Sequence, residues 1–509
     1  MISRAIRITT SSTVLSRVLG MVRDMVTAYR FGASVVMDAL VLALRVPDLF
    51  RRLFGEGVLG ASLIPPFASL LDHPRQAWRF LTGALLAAAV AALGVVLTCE
   101  AVCLWLSFGD LDEGQSLALE LTARLLPYLI FVCVLSQLAA ALQALGRFTA
   151  PALVSCVLNI GWITACFAGP SWTEGQANWA RLLATAVLVS GAAQVGWLLA
   201  DLHRAGFRLL LPDQAARDLL KRSMWSLLPV AVAIAATQIN TTVDGLAAWL
   251  FGQSGQLETG AATAIYYGER LFMLPVGVVG IATAVVYFPT MCQLVGQQQL
   301  DELAVAVRGA LRGMWLLAVP ASIGLMLLAR PVVGLLLERG AFEAEAGARA
   351  ASAAAAYGAG IWAFAALPLL VRVELALGRP RRAAVAGVAG VALNILLVVG
   401  WGRHGEQVLA ATTVAAAVLQ TIWLLTSISQ TIPLDLTRLA PFLTRTLVAA
   451  ALMAGLVISV RDRWITPAPA ALPLIALIVA AAGLHLVVER LLRRVLPDPP
   501  DPPSPQISR

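Results

Sequence analysis

Charged residues inside apolar, helical stretches are the feature of this chain best suited to chemistry. Twelve charges lie within the first sixty positions, although the chain as a whole is strongly apolar. An arginine or aspartate at the centre of a bilayer costs about 2.5–3.5 kcal/mol even on a lenient insertion scale, and it persists only where it faces water, a partner or a polar ligand. The N-terminal segment is therefore the first candidate for a functional site.

The first charged stretch, TTSSTVLSRVLGMVRDMVTAYRFG, predicts a helix with a polar stripe. Arg17 and Asp24 are seven residues apart and share a face, whereas Arg23 points to one side. Two interpretations are open. The charges either snorkel from a helix end or form a stripe that lines a hydrated cavity. The recurrence of charges at similar depth in neighbouring segments favours the cavity.

The next stretch, residues 35–70, carries Asp38 near its outer end and several charges further along. Asp48 is spaced i,i+3 and i,i+4 from Arg51 and Arg52, and Glu56 follows four residues after the second arginine. These charges either form solvated pairs on a helix surface or line a cavity. Helix-breaking residues interrupt the stretch at Pro47, Gly55, Gly57, Pro65 and Pro66. Breaks at membrane depth are tolerated where the backbone lines a cavity or is buried in protein.

A second charged site is predicted in IYYGERLFMLPVG, where Glu269 and Arg270 precede Pro275. Adjacent residues on a helix do not face one another, so each needs a partner on another element. Arginines of the first half suit the glutamate, and aspartates of the first half suit the arginine. A purely structural ion pair between helices is the alternative.

Composition excludes a soluble protein. With 59% hydrophobic and 13% charged residues, the chain is predicted to be an all-α, polytopic membrane protein. The six cysteines form no C-x-x-C pair and the four histidines form no cluster, so we expect no metal centre of these ligands. The loops are too short for a soluble catalytic domain, and we expect no enzymatic activity.

The formal charge is +8 with Lys221 as the only lysine, and guanidinium groups suit phosphate because they bind it bidentately.

Fourteen hydrophobic segments are long enough to cross a hydrocarbon core of about 30 Å. They are residues 6–30, 35–70, 79–106, 116–146, 150–169, 179–202, 219–251, 260–293, 305–337, 346–377, 383–401, 407–430, 438–460 and 470–493. The first is so polar that thirteen spans are the alternative count. Odd-numbered loops such as 107–115 are acidic or nearly neutral, and even-numbered loops such as 378–382 are basic. Basic loops stay in the cytoplasm, so both termini are predicted to be cytoplasmic.

The chain also repeats itself. Phe31-Gly32 recurs as Phe251-Gly252, and GVLGASLIPPF, ALGR and VLNI recur in the same order as GVVGIATAVVYFP, ALGR and ALNI. Four matches in order indicate a duplicated six-helix unit, with parallel repeats related by an axis along the membrane normal. The predicted domains are an N-terminal lobe (1–205), a C-terminal lobe (206–432), two extra helices (433–494) and a disordered tail (495–509).

Five polar residues of the later segments allow simpler interpretations. Asp244, in QINTTVDG, is either a cation ligand or a residue near the outer end of its helix. Asn159 and Asn394 are related by the repeat, and each is expected to form a hydrogen bond between helices. Arg372 and Glu374 lie near a predicted cytoplasmic end, where we expect them to snorkel.

Several segments resemble the MviN/MurJ lipid II flippases of the multidrug/oligosaccharidyl-lipid/polysaccharide exporter superfamily. They are SRVLGMVRD, MDALVLALRVPDLFRRLFGEG, SLIPPF and YYGERL, and the resemblance covers essentially the whole chain. It implies two six-helix lobes around a central cationic cavity, with the two extra helices forming a groove into it. The implied activity, for peptidoglycan synthesis, moves undecaprenyl-pyrophosphate-linked disaccharide-pentapeptide (lipid II) from the inner to the outer leaflet of the bacterial cytoplasmic membrane by alternating access.

The resemblance also implies roles for residues. Arg17, Arg23 and Arg270 match essential cavity arginines and Asp38 matches an essential acid, so these four are expected to bind the substrate. Four further residues are expected to act in gating or in a cytoplasmic-side motif. They are Asp24, Arg51, Glu56 and Glu269, the last in place of the commoner aspartate.

A sodium site seen in some members has two matching ligands here, Asp244 and Asn394. The position four residues after the asparagine, an acid in those members, is Val398 in this chain. The match to the sodium site is therefore incomplete, and we expect transport to depend only weakly on sodium; no cofactor is predicted beyond a sodium or chloride ion. The expected partners are lipid II, membrane lipids and the cell-wall synthesis machinery, with no nucleic acid and a monomeric state.

Three alternatives from other classes stay open. The first is another exporter of the same superfamily, an oligosaccharide-lipid flippase or a drug/cation antiporter, whose usual twelve spans leave residues after about 435 unexplained. The second is a membrane-embedded transferase, which the short loops and scattered histidines disfavour. The third is a transporter-like scaffold for the cell-wall machinery.

Overall fold

The computed structural model describes residues 2–50, 58–464 and 470–499, and the regular elements of these residues are all helical. The α-helices, in chain order, are α1 (Ile2–Phe31), α2 (Val35–Phe50), α3 (Val58–Ser69), α4 (Pro74–Leu106), α5 (Glu113–Leu125), α6 (Tyr128–Ala144), α7 (Thr149–Trp172), α8 (Gln176–Arg204), α9 (Gln214–Gln253), α10 (Ala261–Pro275), α11 (Ala282–Gly296), α12 (Leu300–Leu336), α13 (Ala344–Gly358), α14 (Ile361–Ala376), α15 (Pro380–Trp401), α16 (Glu406–Ser429), α17 (Ala440–Trp464) and α18 (Ala471–Val495). The all-α prediction is confirmed.

Three predicted spans each contain two helices. The span 260–293 holds α10 and α11, joined by a π-helical segment, Val276–Ile281, directly after Pro275. Proline lacks an N–H and its ring clashes with the carbonyl four residues back, which displaces the regular ladder. The span 346–377 bends by 50° between α13 and α14, and the span 116–146 holds α5 and α6. The span 35–70 includes α2 and α3, and residues 51–57 between them lie outside the described residues.

Not every predicted break is a break. The helix α2 continues through Pro47, and α3 includes the Pro65-Pro66 pair. In the described residues, ten helices or joined helix pairs are long and apolar enough to cross a membrane, or eleven with the bent pair counted as one span. The predicted spans that fall outside these are the charged segments of α1, α2 with α3, and α9. The count of fourteen is consistent with this set but is not confirmed by it.

The chain forms two compact units. Unit 1 comprises Met1–Gln238 with the short segment Arg339–Phe342, and unit 2 comprises Ile239–Glu338 with Glu343–Arg509. The division falls within α9, whereas the repeat places the lobe boundary between residues 205 and 206. The lobe boundary from the repeat stays a prediction.

The core of unit 1 lies among α3, α4, α6, α7 and α8. Phe67 and Phe207 pack on either side of Trp78, with ring centroids 5.9 and 5.5 Å away. Outside this core, α1 packs along α7 and α2 along α5. The contact of α1 with α7 matters for function, because it places the charged face of α1 beside polar residues of α7.

In unit 2, α12 packs against α13, α17 and α18. Leu328 of α12 shares an apolar core with Met453 and Val457 of α17 and with Leu474 and Leu477 of α18. The two C-terminal helices are thus held to unit 2 through α12.

Candidate functional site

Arg23 is the centre of a polar cluster between α1 and α7. Its Nε and Nη2 donate to Asp24 Oδ1 at 3.0 and 2.8 Å, and its Nη1 donates to Asn159 Oδ1 at 3.4 Å. Its guanidinium carbon lies 5.2 Å from the centroid of the Trp162 ring, a cation–π geometry. The side chains of Arg23 and Asp24 are 15% and 16% exposed. A guanidinium is thus held in a largely buried position by an acid, an amide and an indole.

Hydrogen bonds fix α1 against α7 around this cluster. Trp162 Nε1 donates to Thr27 Oγ1 at 2.9 Å, and the threonine hydroxyl donates to the carbonyl of Arg23 at 2.7 Å. Asn159 Nδ2 donates to the carbonyl of Ser16 at 3.2 Å. The expected interhelical bond of this asparagine is confirmed, and it positions the amide oxygen that accepts from Arg23.

Arg17 and Asp24, which the spacing predicts to share a face of the helix, differ in their surroundings. The sequence pattern sets Arg23 to one side, but the structure pairs Asp24 with this adjacent arginine. A long guanidinium side chain can fold back along the helix surface and reach a neighbour whose Cβ points elsewhere. Arg17 is exposed and forms no hydrogen bond or ion pair with the residues that the structure describes.

Arg30, in the last turn of α1, is a candidate that sequence reasoning missed. Its guanidinium carbon lies 5.5 Å from the Tyr29 ring centroid and 5.8 Å from that of Phe167. Its Nε is buried and has no hydrogen-bond acceptor within the described chain. The helix therefore presents arginines at three depths, spread over about 20 Å at 1.5 Å per residue. The neighbouring Tyr29 was the one sequence signal that Arg30 has an aromatic partner. An arginine in the last turn of a helix is usually exposed to solvent, and Arg30 was therefore passed over.

The predicted acid of the second segment lies at the start of α2. Asp38 is buried in the first helical turn, where the helix dipole stabilises a negative charge. Ser34 caps the helix, since its Oγ accepts from the backbone N–H of Met37 at 3.2 Å. Arg51 and Glu56 lie outside the described residues, so their role stays a prediction.

Glu269 and Arg270 of α10 differ in burial. Glu269 is buried, whereas the partly buried Arg270 donates from Nη2 to the hydroxyl of Tyr266 at 3.1 Å. The Arg270 guanidinium carbon lies 4.8 Å from the Tyr266 ring centroid. Gly268 lets α10 approach α13 closely, because a Cβ there would lie 2.9 Å from the Ala353 Cβ. Tyrosine and close helix packing thus orient this arginine.

Asp244 of α9 is the centre of a second polar cluster, within unit 2. Its carboxylate accepts from Tyr357 Oη at 2.7 Å, from Asn394 Nδ2 at 3.2 Å and from Thr413 Oγ1 at 2.6 Å. Asp244, Asn394 and Thr413 are all fully buried. The burial of Asp244 decides between neither of the two sequence interpretations, a cation ligand or a residue near the outer end of its helix, and both stay predictions. The structure does bring Asp244 and Asn394 together, and Asn394 forms the expected bond between helices.

The two clusters occupy related positions in the repeat. Asp24 and Asp244 are 220 residues apart, the same spacing as Phe31 and Phe251. The repeat-related asparagines belong to these clusters, where Asn159 accepts from Arg23 and Asn394 donates to Asp244. Arg23 adds a cationic partner in unit 1, but the corresponding residue in unit 2 is Val243. The acid in unit 2 is instead surrounded by neutral hydrogen-bond donors.

The Asp244 cluster does not fit a sodium ion well. Its carboxylate oxygens already accept from three donors, and Thr413 Oγ1 lies 2.6 Å from both of them. A hard cation needs several oxygen ligands whose lone pairs point at one position. The cluster holds one carboxylate, and Val398 supplies no second. Among the described residues, no group of three acids, histidines or cysteines could hold a metal ion.

The snorkelling prediction for Glu374 is wrong. This carboxylate is fully buried, and Ser427 Oγ donates to its Oε1 at 2.8 Å. Arg372 is half-buried and donates to the carbonyl of Pro368 on its own helix at 3.4 Å. Snorkelling needs a long, flexible stem, which glutamate lacks.

Comparison with known proteins gives one consistent family. A sequence model described as "Lipid II flippase MurJ" matches residues 27–477. A protein of Rhizobium tropici named "Probable lipid II flippase MurJ" is 28% identical over 470 residues, which cover 89% of this chain and 86% of that protein.

Solved structures share the fold. One titled "Lipid II flippase MurJ, inward closed conformation" covers 96% of this chain and 99% of its own, with a TM-score of 0.77 at 19% identity. An inward-facing multidrug resistance MATE transporter of the MOP superfamily covers 84% of this chain and 98% of its own, with a TM-score of 0.64 at 15% identity. The structural match thus includes nearly all of the MATE chain, whereas part of this chain has no counterpart in it.

Proposed function

This chain belongs to the MurJ family of lipid II flippases, and we propose that it moves lipid II from the inner to the outer leaflet of the bacterial inner membrane. The observation that carries the proposal is the row of arginines on α1, with Arg23 held largely buried by Asp24, Asn159 and Trp162. The chain is a multi-pass bacterial membrane protein, and we place both termini in the cytoplasm from the loop charges.

A pyrophosphate is a dense anion that must cross a medium of low dielectric constant. Guanidinium groups already placed in membrane helices replace its water with charge-assisted hydrogen bonds. Asp24 occupies Nε and Nη2 of Arg23, so a phosphate that binds this arginine competes with the acid. Because a ligand shifts a conformational equilibrium only by its differential affinity for the two states, this competition is a means of coupling binding to the change of state.

The prenyl tail of such a cargo needs no polar path, since it is as apolar as the bilayer. The helices α17 and α18 present exposed apolar side chains, including Leu447, Leu452, Leu472 and Val479. We assign to them the groove that accommodates the tail, as the family resemblance implies. In this scheme the protein catalyses no covalent change, and membrane lipids together with lipid II are its partners.

An exporter with another cargo is the alternative within the same fold. The MATE structure leaves 16% of this chain unmatched, since it covers 84%. The family model, in contrast, extends to residue 477 within α18. A drug/cation antiporter gives no reason for these extra helices, whereas a cargo with a long lipid tail does.

The experiment that tests the proposal is complementation of a bacterial strain whose own lipid II flippase is depleted. We expect this chain to restore growth and normal cell shape, and a twelve-span MATE transporter expressed to the same level to restore neither. Failure of the correctly inserted chain to support growth would overturn the proposal.

A further inference from the structure

A cavity of about 300 Å³ lies between the first turns of α15 and the last turns of α16 in unit 2. It is lined by Arg381, Arg382, Val385, Trp423, Thr426, Ser427 and Gln430. Two adjacent guanidinium groups, two hydroxyls and an amide thus surround one space at the end of a helix pair. We propose that this cavity binds the phosphodiester headgroup of an anionic glycerophospholipid.

The charge of the cavity selects an anion. Arg381 is exposed and forms no hydrogen bond or ion pair with the described residues. Arg382 Nη1 donates to Ser427 Oγ at 3.2 Å, and this hydroxyl in turn donates a hydrogen bond to Oε1 of the buried Glu374 at 2.8 Å. The acid is thus engaged on the protein side, while one guanidinium stays open to a ligand. A phosphodiester offers the paired oxygens that such a planar group binds.

The surroundings of the cavity select a lipid over a soluble phosphate. Below the arginines, Val385 and Val388 of α15 and Leu419 and Ile422 of α16 are about half exposed. Both helices are apolar enough and long enough to cross a membrane. Their exposed faces are therefore covered by acyl chains. Trp423, also half exposed, lies beside the cavity, and tryptophan prefers the headgroup level of a bilayer.

The position of the cavity also agrees with the cytoplasmic leaflet, which carries anionic lipid. The arginines belong to the basic loop GRPRR, which the loop charges place in the cytoplasm. Arginines just inside a cytoplasmic membrane surface attract anionic headgroups. This site is separate from the charges assigned to lipid II, so its failure would leave the proposed flippase function untouched.

The test is lipid retention, measured by native mass spectrometry of the detergent-purified full chain. Dioleoyl-phosphatidylglycerol and dioleoyl-phosphatidylcholine are added in parallel. We expect the anionic lipid to be retained preferentially, and the double variant Arg381→Ala/Arg382→Ala to bind it about tenfold more weakly, which corresponds to about 1.4 kcal/mol. The matched control is Arg403→Ala, an exposed arginine at the opposite end of α15, which should bind as the unaltered chain does.

One further variant and one soluble competitor separate binding of a lipid headgroup from loss of folding and from binding of free phosphate. Arg381→Glu alone leaves the bond between Arg382 and Ser427 intact, so it removes charge complementarity without disturbing the buried network; it should also lose the lipid. Glycerol 3-phosphate, added as a soluble competitor, should not displace the lipid at equal concentration. Equal retention of both lipids, unchanged binding by the Arg381 variants, or equal displacement by the soluble phosphate would each overturn the proposal.

Discussion

At the scale of single residues, Arg23 differs from an ordinary membrane arginine in how completely it is positioned. An isolated charge would snorkel towards a headgroup, but this one has an acid, an amide and an aromatic face around it. Such surroundings lower the cost of holding a charge at depth and fix the direction of its remaining donors. The same arrangement would make the guanidinium sensitive to small changes in α7.

The arginines assigned to the substrate should tolerate substitution less well than arginines that form ion pairs at the surface. We expect Arg17→Ala, Arg23→Ala and Arg270→Ala each to abolish complementation of a flippase-depleted strain at normal protein levels. Lysine should rescue only in part, because a point charge lacks the planar fork. Arg147→Ala, which removes an exposed ion pair to Asp201, is the control and should grow. Full activity of all three alanine variants would remove the anion-binding account.

The Asp244 cluster predicts a stability effect that depends on one hydroxyl. Thr413→Val removes one of three donors to a fully buried carboxylate, and a lost hydrogen bond costs about 1 kcal/mol or more in stability. We expect a clearly lower unfolding temperature in detergent. Thr412→Val is the matched control, because among the described residues this adjacent hydroxyl bonds to the carbonyl of Leu409 on its own helix and to no other group. Equal effects of the two variants would contradict the special role of Thr413.

The sequence identified many of the charged and amide residues of the two clusters. The contacts and hydroxyl groups that it missed were missed for physical reasons. Arg23, Glu269 and Asn394 stand out because charged or amide groups in apolar stretches need partners. Spacing could not reveal that Asp24 pairs with its neighbour, since side-chain torsions decide that contact. Thr413 and Tyr357 were missed because a hydroxyl in an apolar helix usually bonds to its own backbone.

At the scale of elements, the sequence pattern located the helices well and their interruptions less well. The predicted span 383–401 corresponds to α15, and 470–493 to α18. Proline was an unreliable sign of a break: Pro275 precedes a π-helical segment, but α2 continues through Pro47. Tertiary packing decides which of these sites bends, and periodicity alone carries no information about it.

The C-terminal segment forms an ionic clasp on α17 and α18. Arg445, almost fully buried, donates to Asp498 Oδ1 at 2.9 Å and to Glu489 Oε1 at 3.4 Å. It also bonds to the carbonyl of Leu496. Residues 496–498 belong to the tail predicted as disordered, yet their carbonyl and carboxylate groups complete the environment of a buried charge. Residues 496–498 are therefore packed against the pair of helices, α17 and α18, to which we assign the prenyl groove.

This clasp predicts that Asp498→Asn loosens the C-terminal pair. Losing a hydrogen bond to a charged group costs about 1.5–3 kcal/mol, so we expect earlier thermal unfolding and faster proteolysis at the C-terminus. Asp72→Asn, an exposed acid in the loop before α4, removes the same charge and is the control. The prediction fails if limited proteolysis shows identical C-terminal cleavage rates in both variants and the unaltered chain.

At the scale of the whole molecule, the charge inventory points to the membrane potential as the driving force. The Asp244 cluster is satisfied by hydrogen bonds from the protein, and Val398 stands where a second acid would be needed. Moving one elementary charge through 100 mV is worth about 2.3 kcal/mol. We expect lipid II transport to persist when sodium is replaced by potassium at fixed potential and to fall when the potential is collapsed. Transport abolished by sodium removal alone would contradict this.

The central claim is that this chain carries lipid II across the bilayer by means of its arginines. The most direct measurement is leaflet-specific labelling of lipid II in cells in which the resident flippase is depleted and this chain is expressed. The account predicts that labelled lipid II returns to the outer leaflet with the unaltered chain and stays in the inner leaflet with Arg23→Ala at equal protein levels. Lipid II that stays in the inner leaflet when the unaltered chain is expressed, or that Arg23→Ala returns to the outer leaflet as fully as the unaltered chain does, would contradict it.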